Sequence, residues 1–162
     1  MKLSKNLTLE EAIKSRTASK LGIDNTPTTS HLGYLKATAE NIFQPVRDHF
    51  KKPIAVTSGY RSPDLNHAIG GAGHWESGRY IPKSQHCYGE ALDLDGDHTG
   101  VDNAKIFHYI KDNMEFDQLI WEFGDSKKPD WVHVSYKANR NRGQVLIAKR
   151  NSKGHAYYEL WD

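Results

Sequence analysis

Trp131-Val132-His133-Val134-Ser135-Tyr136 and Ala91-Leu92-Asp93-Leu94-Asp95 are the stretches on which the fold turns. Successive side chains of a strand point to opposite faces, so strict alternation marks a half-buried strand. Leu92 and Leu94 enter a core from one segment, and Val132 and Val134 from the other. Asp93, Trp131, His133 and Ser135 are then left on the opposite face. Residues 53–58, 118–123, 145–149 and 156–160 also have strand character. Upstream, Leu32, Leu35, Ala39, Ile42, Phe43, Val46 and Phe50 recur at three- and four-residue steps and predict a helix over residues 32–50. Thr26 and Pro27 suit its cap and first turn, and Pro45 predicts a kink near residues 41–45. Shorter helices are expected over 8–15 and 101–112. Helices early and strands late point to an α+β fold, with a mainly antiparallel sheet of about four to six strands packed with helices.

A chain of 162 residues fits a single domain, residues 1–162, with one core. Residues 70–83, rich in Gly, Ser and aromatics, read as a surface loop insertion. Lys and Arg number 22 against 20 Asp and Glu, a balance that gives no reason to expect a nucleic-acid partner. Cys87 is the only cysteine, which excludes an internal disulfide. Charges in the opening MKLSKNLTLEEAIKS interrupt the apolar run a signal peptide needs, so synthesis in the cytoplasm without a cleaved leader is expected. A mean hydropathy of −0.74 and the lack of any long apolar run argue against membrane insertion.

Both alternating strands offer a metal ligand to the same polar face. His86 lies seven residues before Asp93, and Gly89 between them permits the turn that brings the imidazole back over the strand. His86, Asp93 and His133 make two imidazoles and one carboxylate, a set suited to catalytic zinc, which takes three protein ligands and leaves the fourth position to water. With nine histidines in the chain, composition alone would not select these two; the spacing strengthens the reading.

Ser84-Gln85-His86-Cys87-Tyr88-Gly89-Glu90-Ala91-Leu92-Asp93 resembles the S-x-H-x-x-G-x-A-x-D signature of the zinc D-Ala-D-Ala carboxypeptidases and L-alanyl-D-glutamate endopeptidases. That family shares its fold with the Hedgehog signalling domain. Asp130-Trp131-Val132-His133 is similar to the family's second element, an acidic residue three positions before the last zinc-binding His, and Ser58-Gly59-Tyr60-Arg61-Ser62 to the segment that places an Arg by the substrate. The likeness runs from about residue 7 to 149 and is greatest to members carried by phages and prophages, some of them endolysins.

The resemblance implies one Zn2+ per chain on His86, Asp93 and His133, with Asp130 as general base and Arg61 fixing a substrate carbonyl or carboxylate. Many members carry Glu where this chain has Asp130, whose shorter arm must still reach about 2.6–3.2 Å from the water. Strict alternation would also send Asp130 away from His133, so it is placed in a loop before the strand, and Glu122 is the reserve base. Ser84 either bonds substrate or braces the loop before His86, with bracing preferred. Tyr60, Trp131 and Tyr136 either line a peptide groove or pack in the core, the commoner fate of aromatics; Trp131 is also a candidate substrate contact. Cys87 should be buried as a small apolar residue rather than bind the ion. His74 and Trp75 fall in the 70–83 segment and could shape a substrate lip.

The expected activity is hydrolysis of a peptide bond in the peptidoglycan stem, either L-Ala to D-Glu or D-Ala to D-Ala. A monomer acting on the wall after release, as in phage or prophage lysis, fits this reading. The competing class is a non-catalytic zinc-containing module of the same fold that only binds wall peptide or a protein partner.

Overall fold

A computed structural model describes residues 1–162. Two short strands, β1 (Lys2–Ser4) and β2 (Leu7–Thr8), lead into α1 (Leu9–Ile13) and α2 (Arg16–Leu21). The helix read over 8–15 therefore ends early. Thr8 closes a capping box with Glu11, and Ser15 begins a second helix by accepting the Ala18 N–H. The long amphipathic helix is present as α3 (Thr29–Thr38), a π-helical turn (Ala39–Phe43) and α4 (Gln44–Phe50). The wider turn lies just before Pro45, where the missing N–H and the ring would otherwise disrupt regular α-helix. Its cap is not Thr26. Thr28 accepts the His31 N–H at 3.2 Å, while Thr26 is held in a turn by the Asp24 carboxylate.

The chain continues through β3 (Ala55–Ser58), α5 (Pro63–Ala68), β4 (Gly73–Glu76), β5 (Arg79–Pro82), β6 (Ala91–Asp95), α6 (Asn103–Asn113), β7 (Gln118–Glu122), β8 (Trp131–Ser135), β9 (Gln144–Arg150) and β10 (Ala156–Leu160). The segment 70–83 is not a plain loop. β4 and β5 pair antiparallel across Ser77-Gly78, both at positive φ (48° and 76°), as a two-residue hairpin turn with matching twist requires.

Six strands form the main sheet in the order β10-β9-β7-β8-β6-β3. All neighbours are antiparallel except β7 and β9, because the chain leaving β8 passes β7 before it re-enters the sheet. Leu92, Leu94, Leu119, Trp121, Val132 and Val134 point to one face and join Leu35, Ile42, Phe43 and Val46 of the long helix, and Ile106, Phe107 and Ile110 of α6, in one core cluster. Tyr60 is buried in it, and Tyr136 packs at its margin. No helix is long and apolar enough to cross a membrane.

One end of the sheet is tied by Asp117, fully buried just before β7. It receives Arg142 through Nε and Nη2 (2.7–3.2 Å) and Gln85 Nε2 at 3.0 Å. Burial alone would raise this carboxyl, but the bonds from Arg142 and Gln85 outweigh it and hold it below the usual carboxylate range. Its stabilising contribution is then complete above the unfolded-state value of about 3.9 and is lost as pH falls through the lower folded-state value. Asp117→Asn should melt lower than the parent at pH 7, yet lose less stability between about pH 4 and pH 2. Melting curves that stay parallel across that interval would contradict this role.

Candidate metal centre

The face opposite the core carries the chemistry. The register aligns Asp93 of β6 with His133 of β8, and His133 with Ile120 of β7. Alternation brings both ligands outward because Leu92, Leu94, Val132 and Val134 are committed to the core. His86 comes from a 3-10 turn, Gln85–Tyr88, between β5 and β6. That turn ends at Gly89 (φ 75°), where a Cβ would stand 2.4 Å from the His31 carbonyl of α3. Glycine is thus needed for the backbone angle and for the close approach to the helix. Thr38 Oγ donates to the Gly89 carbonyl at 3.1 Å and fastens the turn further.

The three side chains converge. His86 Nε2 lies 3.3 Å and His133 Nδ1 3.0 Å from Asp93 Oδ1, and one potential ligand atom from each residue falls within 4.8 Å of the others. All three are buried, with no more than 8 % of any residue's surface exposed. His86 Nδ1 donates to the Gly59 carbonyl at 2.7 Å, which fixes the ring so that Nε2 carries the free lone pair. Burial also lowers the His86 basicity, a trend Asp93 only partly opposes, so the ring stays neutral. Burial would raise the Asp93 carboxyl, but the two imidazoles overcome this and hold it well below the usual carboxylate range. With His86 Nδ1 committed to Gly59, the short approaches of His86 Nε2 and His133 Nδ1 to Asp93 Oδ1 need a proton or a cation between nitrogen and oxygen. The donor set therefore fits a divalent ion, and two imidazoles with one carboxylate fit zinc.

Arg61 follows β3. Its Nε donates to Ser58 Oγ at 2.9 Å and its Nη2 to Asp93 Oδ2 at 3.3 Å, so it holds the oxygen that the histidines do not approach and leaves Nη1 free. The centre sits in a cleft of about 910 Å³, lined also by Ser84, Glu122, Trp131, Arg150 and Tyr158. Ser84 does not brace the turn through its hydroxyl, which makes no cap hydrogen bond; its carbonyl does so, accepting the Cys87 N–H at 3.0 Å. Cys87 is buried, and burial pushes its thiol up to about 11. Trp131 is half-buried at the cleft wall, against Phe123.

Asp130 is not brought to the centre. It is exposed and is not among the cleft-lining residues. Its backbone N–H donates to the Glu122 carbonyl at 2.9 Å, and its own carbonyl accepts from Asn103 at the head of α6. β8 begins at Trp131, so Asp130 lies in the loop before the strand, where the sequence reading placed it. The acid beside the ligands is Glu122. It pairs with Trp131 and is therefore the diagonal neighbour of His133, within reach of a long side chain. Only 7 % of it is exposed, and burial pushes its carboxyl up to about 7 despite the opposing pull of His133.

A model of the Peptidase M15 family matches residues 5–135, which span β2 to the end of β8 and include His86, Asp93, His133, Arg61 and Glu122. The chain belongs to the peptidase M15 family. Peptidases of this family are zinc-dependent, in agreement with the donor set found here. A comparison with curated proteins returned no match. The M15 match stops short of β9 and β10, although the resemblance had suggested likeness to about residue 149. Leu146, Arg150 and Tyr158, which complete the cleft from that region, escaped the sequence reading. The face of Glu122 is legible in the sequence, because Leu119 and Trp121 alternate as core residues and leave it on the ligand face.

Proposed function

We propose that this M15 peptidase hydrolyses a peptide bond in the bacterial peptidoglycan stem, with one zinc ion held by His86, Asp93 and His133. The observation that carries the reading is the convergence of three buried donor atoms in a cleft large enough for a peptide, beside a buried, elevated carboxyl. When bound, zinc supplies acidification of a water and polarisation of the scissile carbonyl. Glu122 Oε accepts the proton of the attacking water and passes it to the leaving amine nitrogen. Arg61 Nη1 orients a substrate carbonyl or carboxylate, while its bond to Asp93 keeps the ligand turned toward the histidines. Trp131 and Ser84 wall the bound chain and exclude water.

Either the L-Ala to D-Glu or the D-Ala to D-Ala bond is the target, and action at the wall after release, as in phage or prophage lysis, follows from the motif resemblance. Mass spectrometry of wall fragments digested by the zinc-loaded protein tests the reading. New amino termini at D-Glu mark the endopeptidase, and free D-Ala the carboxypeptidase. A folded, zinc-loaded protein that releases neither from any wall type would instead be a binding module.

A further inference from the structure

We propose that Arg150 is a specificity-determining residue that binds a carboxylate of the peptide substrate on the Glu122 side of the scissile bond. The inference rests on the peptidase reading of the cleft but adds a group outside residues 5–135, on a strand that the family match does not include. β9 runs parallel to β7, with Ile120 opposite Leu146 and Glu122 opposite Ala148. Alternation then places Arg150 on the same face as Leu146, one step beyond the Glu122 row, and it lines the cleft with Glu122 and Tyr158.

Three arginines line this cleft, and two are already engaged by carboxylates, Arg61 by Asp93 and Arg142 by Asp117. Arg150 has no such partner. Its only side-chain hydrogen bond runs from Nη1 to the Gly154 carbonyl at 3.3 Å. The flat face of the guanidinium is held 4.0 Å above the Phe123 ring, which leaves the edge of the fork for a ligand. Phe123 itself has φ 55°, a conformation that a non-glycine residue keeps only where its surroundings enforce it, and its N–H is tied to the Ala148 carbonyl. The platform beneath Arg150 is therefore built rather than incidental.

The charge of the cleft favours an anion. Lys83 and Lys137 line it without ion-pair partners, whereas its acids, Asp93 and Glu122, are both buried. Arg150 stands four residues along β9 from Leu146, which shares the His133 row through Ile120. At roughly 3.3 Å per residue that is about 13 Å, before the side chain reaches back. A carboxylate on a residue roughly two to four positions from the scissile bond can meet it.

The test uses two synthetic stem peptides that differ only in whether the one carboxylate two to four positions from the scissile bond is free or amidated. Calorimetry on the zinc-loaded, full-length Glu122→Gln protein measures binding without turnover. The free acid should bind about ten- to a hundredfold more tightly than the amide, the range for a hydrogen-bonded charge pair. Adding Arg150→Ala should bring that ratio close to one, and Arg150→Lys should restore part of it through charge alone. A ratio unchanged by Arg150→Ala overturns the proposal, as does equal weakening of both peptides. Should Arg150-dependent preference be found while the unmutated enzyme cuts neither peptide, the anion subsite stands and the catalytic reading falls.

Discussion

Glu122→Gln is expected to lower kcat/KM on wall peptide by about a hundred- to ten-thousandfold, the usual contribution of a positioned general base. Bound zinc should be unchanged. Gln keeps the shape of the side chain but cannot take a proton, so the loss should appear in kcat with little change in KM. Asp130→Ala is the paired control. Its carboxylate is exposed and lies outside the cleft, so the cost should stay below about threefold, in line with surface substitutions worth roughly 0.5 kcal/mol. The reverse pattern, with Asp130→Ala crippled and Glu122→Gln active, would restore the assignment implied by motif resemblance and refute the geometric one.

His86→Ala should reduce bound zinc from about one per chain to a small fraction, since two ligands remain and the open site can no longer be enclosed. Its second effect is on stability. Binding to the native state alone adds about 4 kcal/mol when free zinc exceeds Kd a thousandfold. For a domain of this size each kcal/mol moves Tm by about 2–4 °C. Chelation should therefore lower the Tm of the parent protein by about 8–16 °C and leave that of His86→Ala nearly unmoved. The chelated parent should remain folded, because the core cluster lies on the other face of the sheet. Equal zinc content in parent and variant, or equal Tm shifts, would remove His86 from the centre.

Much of this architecture is legible in the sequence because local pattern and burial agree. The alternation of Leu92 with Leu94 and of Val132 with Val134 locates β6 and β8 and fixes the face of Asp93 and His133. The long helix is legible through its apolar spacing, and the disturbance at Pro45 through the missing donor. What the pattern lacks is long-range neighbourhood. Nothing local reveals that the chain leaving β8 crosses β7 to place β9 on its far side, and so nothing local brings Arg150 to the cleft. The β4–β5 hairpin was obscured because glycine and serine favour loops and tight strand reversals alike. For Asp130 the sequence places the residue in the loop before β8, where it lies, but does not tell on which side of that loop its carboxylate falls.

Diffraction from crystals of the zinc-loaded protein, recorded on both sides of the zinc absorption edge, bears most directly on the central claim. The account predicts one strong anomalous peak in the cleft, about 2.0–2.2 Å from His86 Nε2, His133 Nδ1 and an Asp93 carboxylate oxygen, with a coordination position open toward Glu122. A peak elsewhere on the chain, or a fourth protein side chain closing the shell, would contradict it.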